Sequence, residues 1–195
     1  MDDSWDKYAD GWDSNPAVIA YADNAYHALR NTLDPDGWRI LDFGCGSGLL
    51  TERLSDSASS IVALDPSQKM IETLDAKHLK DVVTIASELD QNVILNNSHL
   101  ASTFDLIVAS SALAFVSDYT ETLKLLKQVL RRGGYLVQWD WYKKEGDEGY
   151  GFTEQQVQLA MTEAGFSTVS TSIPFSMKGE GSTLDVIMGV AINDS

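Results

Sequence analysis

Two hydrophobic rhythms alternate along the chain. Compact apolar runs lie at 38–42, 61–65, 82–85, 104–109 and 135–139. Between them, apolar residues recur at helical spacing: Ile19, Ala22, Tyr26 and Leu29, then 49–54, then Met70, Ile71 and Leu74. The same spacing returns in Leu123, Leu126, Val129 and Leu130, and in Val157, Ala160, Met161 and Ala164. The first rhythm predicts strands and the second amphipathic helices. Polar punctuation agrees. Asn15-Pro16 caps and starts the first helix. Asp118 with Glu121, and Thr153 with Gln156, have capping-box spacing. Arg131-Arg132 suits the negative end of the preceding helix, and Gly133-Gly134 stops it. Residues 91–103 show no readable period. Two late strands, 168–175 and 184–192, flank Lys178-Gly179-Glu180-Gly181, a link too short for a parallel crossover, so they pair as a hairpin. Strand–helix alternation predicts an α/β fold with a mostly parallel sheet. It forms one domain over 1–195: an N-terminal arm and helix (1–37) acting as a lid, a core (38–142), and a helix with a β-hairpin (143–195).

The first strand runs into Asp42-Phe43-Gly44-Cys45-Gly46-Ser47-Gly48-Leu49. Three alternate glycines between a strand and a helix make a turn that a ligand can approach closely. The second strand ends on Asp65, about 20 residues further on, the spacing that sets a carboxylate against ribose hydroxyls. Together they predict a nucleoside-like cofactor. The glycines fall as G-x-G-x-G, and Leu49 stands where a dinucleotide fingerprint places its third glycine.

Charge and composition narrow the classes. With 29 acids against 14 bases the net charge is −15, which disfavours nucleic acid as a partner. Cys45 is the one cysteine, so no disulfide or thiolate cluster is available. It reads as a small side chain in the turn, and no metal site is expected. The acidic start Met1-Asp2-Asp3-Ser4-Trp5-Asp6 is unlike a secretory signal. No run approaches a membrane span. A cytoplasmic protein without membrane contact is expected, its oligomeric state open.

Ile40 to Leu50, Leu64 to Met70, Phe104 to Val108 and Leu130 to Leu136 stand in the order and spacing of class I S-adenosylmethionine-dependent methyltransferases. Within that class the chain resembles small-molecule enzymes of the ubiquinone-biosynthesis type, over nearly its whole length. The resemblance implies a Rossmann-like, seven-stranded sheet with helices on both faces and an antiparallel last strand. It also implies the cofactor S-adenosyl-L-methionine. By the same likeness Gly44, Cys45, Gly46 and Gly48 pass under the methionine and ribose. Asp42 orients the turn and the amino group, and Asp65 accepts both ribose hydroxyls. Pro66 and Met70 flank the adenine, Ser87, Glu88 and Leu89 meet its edge, and Ser110 faces the amino-acid end. Ser87 departs from the acid common in the family. The fourth strand lacks the Asn/Asp-Pro-Pro-Tyr of enzymes that methylate amino groups on bases or glutamine.

The implied activity is methyl transfer to a small-molecule acceptor, with no obligatory catalytic residue. Tyr8 and Trp12 either close over the ligands or staple the arm to the core. Asp140, at the end of the fifth strand between Trp139 and Trp141, suits a base, an anchor for a cation, or a plain loop-facing acid. Tyr8 and His99 are further catalytic candidates, His99 as a base, whereas His27 and His78 read as solvated or helix-end residues. Competing readings are a nicotinamide-dependent oxidoreductase, since Asp65 suits any adenosine ribose, and a catalytically silent relative that binds the cofactor.

Overall fold

The computed structural model describes residues 5–101, 103–178 and 183–194. Met1 to Ser4 and the Gly179-Glu180-Gly181 part of the expected hairpin link lie outside them. Seven strands form one sheet: β1 (Arg39–Phe43), β2 (Ser60–Asp65), β3 (Val82–Ala86), β4 (Phe104–Ser110), β5 (Leu130–Trp141), β6 (Thr168–Lys178) and β7 (Thr183–Ile192). Their order is β3-β2-β1-β4-β5-β7-β6. Pairing from β3 to β5 is parallel, and β7 is antiparallel to both β5 and β6. The expected sheet and closing hairpin are therefore present.

Among the described residues six α-helices flank the sheet: α1 (Pro16–Thr32), α2 (Leu49–Ser55), α3 (Gln68–Asp75), α4 (Gln91–Asn96), α5 (Tyr119–Val129) and α6 (Glu154–Glu163). Successive strand residues face opposite sides, so each strand feeds two cores. Ile40, Ile61, Leu106 and Trp139 pack with Ala25 and Leu29 of α1 and Leu50 and Leu54 of α2. Leu41, Val62, Ile107 and Leu136 pack with Leu123 and Leu126 of α5 and Val157 and Met161 of α6.

The caps behave as their chemistry demands. Asn15 accepts from the Ala17 amide, and Thr153 and Gln156 form a reciprocal capping box. Asp118 accepts from the Glu121 amide, but the Glu121 carboxylate pairs with Lys124 at 3.2 Å instead of returning to the cap.

Three sequence expectations shift. The buried stripe of α1 runs through Tyr21, Ala22, Ala25, Ala28 and Leu29, leaving Ile19 and Tyr26 half-buried, because small alanines let the helix lie close to the sheet. Within the unreadable segment 91–103, residues 91–96 form α4, capped by Asp90 and buried only at Ile94. Arg131 to Gly134 do not end α5 but lie inside β5, which starts at Leu130. A register shift against β4 between Phe104 and Leu106 absorbs the extra residues there; such bulges bend a strand without ending it.

Candidate active site

The chain runs outward from β1 through β2 to β3 and returns on the other side of β1 as β4. Ligands bind where this order reverses, at the carboxyl ends of the strands. A cleft of about 750 Å³ opens there, large enough for a cofactor and a second molecule.

The turn after β1 makes one wall. A Cβ on Gly44 would sit 2.4 Å from the Ala112 Cβ, so only glycine lets the segment after β4 close against the turn. Gly48 takes φ +81° to start α2, and a Cβ there would meet Leu74 at 2.3 Å. Gly48 therefore serves packing and does not line the cleft, unlike Gly44, Cys45, Gly46 and Ser47. On Gly46 a Cβ would face Trp12 Nε1 across 4.0 Å. The missing side chain leaves space between the turn and the arm.

Asp65 lies beside this gap. Its Oδ2 accepts from the Gly46 amide at 2.9 Å and its Oδ1 from the Ser67 amide at 2.8 Å. A carboxylate oxygen accepts more than one bond, so both can also take a diol. Burial raises the Asp65 pKa against the lowering effect of these amides, with nearby Asp6 adding to the rise.

Asp42, at the end of β1, is almost wholly buried and accepts from Thr51 Oγ1 at 2.6 Å. Burial pushes its pKa to about 7, with Asp65 adding to the rise and Thr51 opposing it. Ser47 Oγ is buried in the same wall with no partner among the described residues. Pro66, Met70, Glu88, Leu89 and Ser110 complete this half. Ser87 does not line it: its hydroxyl donates to the Glu88 carbonyl at 2.9 Å, satisfied within its own loop.

The arm fastens over both sides. Asp6 accepts from Ser67 Oγ at 2.5 Å and from the Lys69 amide at 3.4 Å, at the start of α3. Trp5 meets the Phe115 ring edge-on at 5.0 Å across the cleft, and Asp13 pairs with Lys77 at 2.8 Å. Trp12 and Trp5 line the cleft, whereas Tyr8 stands 49% exposed outside it. Nothing in the sequence marks Trp5 over its neighbour Tyr8.

The further half of the cleft is mainly apolar, with Val18, Tyr21, Phe115, Trp141 and Met177 in its walls. These residues come from four distant segments, so no local motif announces them. Ser111, which leads into this half, holds φ +55° and donates its amide to the Trp139 carbonyl at 2.7 Å.

Besides Tyr8, two catalytic candidates are placed elsewhere. Asp140 lies behind the wall, accepting from the Ala114 amide at 3.3 Å and from Gln138 Nε2 at 3.2 Å. Tyr119 in turn donates to Gln138 Oε1 at 2.5 Å. Burial holds the Asp140 pKa well above the carboxylate range. The alternation of β5 points Asp140 away from Trp139 and Trp141, into the protein. His99 is exposed, and its carbonyl accepts from Arg39 at the start of β1, the opposite end of the sheet from the cleft. His27 and His78 are also exposed, the latter in a turn beyond α3. Among the described residues no histidine, cysteine and acid cluster could hold a metal.

A methyltransferase domain family matches residues 41–136, which span the turn, Asp65 and most of the cleft floor. The chain carries a class I, S-adenosylmethionine-dependent methyltransferase domain. Human mitochondrial ubiquinone biosynthesis O-methyltransferase is 36% identical over 107 residues, 51% of this chain and 28% of that protein. The Rhizobium rhizogenes ubiquinone biosynthesis O-methyltransferase is 30% identical over 131 residues, 63% and 50% of the two chains. The chain thus spans half or less of these relatives' length. Among solved structures, the putative methyltransferase in a complex with the Haloferax volcanii Trm112 methyltransferase activator has TM-score 0.78 and 16% identity, covering 100% of both chains. The N-methyltransferase NodS of Bradyrhizobium japonicum, solved with S-adenosyl-L-homocysteine, has TM-score 0.68 and 20% identity, covering 100% and 94%. These two share the fold.

Proposed function

We propose that the chain transfers a methyl group from S-adenosylmethionine to a small-molecule acceptor. The observation that carries this reading is the Asp65 carboxylate bridging the glycine turn and the start of α3, beneath a gap roofed by Trp12. Asp65 would hold the ribose, Asp42 and Ser110 the amino-acid end, and Pro66, Met70, Glu88 and Leu89 the adenine. Bound there, the cofactor would supply an activated methyl group on a sulfonium. The protein's part is to align an acceptor with that group and exclude water. The charged side chains lining the cleft among the described residues are Asp42, Asp65, Glu88 and Lys178. Its acids are those assigned to the cofactor, so the reading needs an acceptor that attacks without a carboxylate base. The apolar walls around Tyr21 and Trp141 suit a largely apolar acceptor body and lend no support to a nucleic acid.

The domain match favours methyl transfer over a nicotinamide enzyme. No helix among the described residues is long and apolar enough to cross a membrane, and we place the protein in the cytoplasm as part of the same proposal. The structural relative solved with an activator supports a second reading, in which activity depends on a protein partner.

The test has two parts. S-adenosylhomocysteine should raise the melting temperature and NAD should not, and Asp65→Asn should weaken S-adenosylhomocysteine about ten- to hundredfold by calorimetry, the worth of a bond to a charged group. Screening small acceptors with labelled cofactor, with product mass as the readout, then tests transfer. Stabilisation by NAD alone would return the site to the oxidoreductase reading, and binding without any transferred label would favour a silent relative.

A further inference from the structure

Arg131-Arg132-Gly133-Gly134 has no part in the cleft; it lies inside β5, just beyond the end of α5. These arginines border a second hollow of about 310 Å³, at the end of the sheet away from the cleft, with Lys124, Lys127, Gln128 and Asn193 also in its walls. Four of the 14 bases of a chain with net charge −15 converge there, and no acid is among the described residues lining the hollow.

Some of this charge is committed. Arg131 Nε donates to Asp105 at 2.5 Å, and Lys124 pairs with Glu121 at 3.2 Å. Lys127 lies over the Phe166 ring at 6.0 Å. Arg132 is exposed, and no carboxylate among the described residues lies within ion-pair reach of it.

Five carbonyls at this corner already accept a hydrogen bond. Asn193 Nδ2 donates to the Leu130 carbonyl at 2.8 Å and to the Arg131 carbonyl at 3.3 Å. Arg131 Nη1 covers the Arg132 carbonyl at 3.0 Å. The Asn193 carbonyl is taken by the Gly133 amide at 2.6 Å, and the Lys127 carbonyl by the Leu130 amide. What faces the hollow is a surplus of donors in a molecule that otherwise repels anions. Its volume equals on the order of ten waters, room for one compact, multiply charged anion with part of its hydration shell.

We propose that this corner binds a phosphate group, free or as a phosphomonoester, with Arg132 as its main anchor and Lys124 and Lys127 adding charge. Guanidinium matches phosphate oxygens in pairs, which is why the arginine carries the contact. The site is independent of the methyl-transfer reading.

Titration calorimetry of the full chain with inorganic phosphate at low ionic strength, in chloride buffer, should give saturable binding. Arg132→Ala should weaken it about tenfold or more, and Arg132→Lys, which keeps the charge but loses the paired contact, should fall between Arg132→Ala and the unmodified chain. Unchanged S-adenosylhomocysteine affinity in both variants would show that fold and cleft are intact. Glycerol phosphate separates the sources: tighter binding than inorganic phosphate marks a phosphomonoester site, weaker binding a site for the free ion. No saturable heat in the unmodified chain, or equal affinity in Arg132→Ala, overturns the proposal.

Discussion

Asp42 concentrates the electrostatic tension of the site. A carboxyl that titrates near 3.8 in the open chain titrates at about 7 when buried beside Asp65. Between these values the folded chain keeps a proton that the unfolded chain has released, so the contribution of Asp42 to stability falls as pH rises through that window. The loss reaches the order of 4 kcal/mol above pH 7. Asp42→Asn should therefore melt higher than the unmodified chain at pH 8, with little difference at pH 4, as calorimetric scans at the two pH values would show. The same residue should make S-adenosylhomocysteine binding pH-dependent. A cationic amino group favours the ionised carboxyl, so affinity should fall by up to about tenfold per pH unit below 7. Asp42→Asn should flatten that slope; titrations from pH 5 to 8 check it. Asp42 and Asp65 were legible because each ends a strand beside a glycine turn or a proline. Their titration was not, because burial depends on what the rest of the chain packs around them.

Among the elements, the N-terminal arm and the turn at Leu113–Phe115 carry most of what local sequence does not show. The arm is tied at the start of α3 by Asp6 and at the far wall by Trp5 on Phe115. Its bond to Ser67 holds the Asp6 pKa below the usual carboxylate value, so the tie persists at neutral pH and is lost only as acid protonates it. Asp6→Ala should speed S-adenosylhomocysteine release roughly three- to tenfold, the worth of one exposed hydrogen bond. Stopped-flow tryptophan fluorescence reads this directly, since Trp5 and Trp12 line the cleft, and an unchanged release rate would show that the tie is not a gate. On the far wall, Asp140 hydrogen-bonds the Ala114 amide and holds the turn that carries Phe115. A sequence reader sees an acid between two tryptophans at a strand end and reads a site. Alternation along β5 sends it into the interior instead, where it supports the wall. Ser87 and His99 diverge for similar reasons, one spending its hydroxyl inside its loop and the other falling at the wrong end of the sheet.

For the whole molecule, net charge dominates. With 29 acids and 14 bases the folded chain repels itself, and salt screens that repulsion over a Debye length of about 8–10 Å near physiological strength. Raising sodium chloride from 20 to about 200 mM should raise the melting temperature, the opposite of a protein held by surface ion pairs. Scanning calorimetry at pH 8 checks the sign. The fold class was legible, because alternating strands and helices predict a mostly parallel sheet and the short link before Thr183 forces β7 to run antiparallel to β6; the order of the strands was not. The sequence alone determined the strand–turn–helix unit at 40–50, the acid at the tip of β2 and the closing hairpin. All three rest on contacts between near neighbours or on strict periodicity. Tertiary structure alone decided which aromatic residues roof the cleft, that Asp140 lies behind its wall, and that two arginines border a hollow at the far end. Those outcomes depend on residues far apart in the chain converging, and no spacing rule within one segment records such convergence.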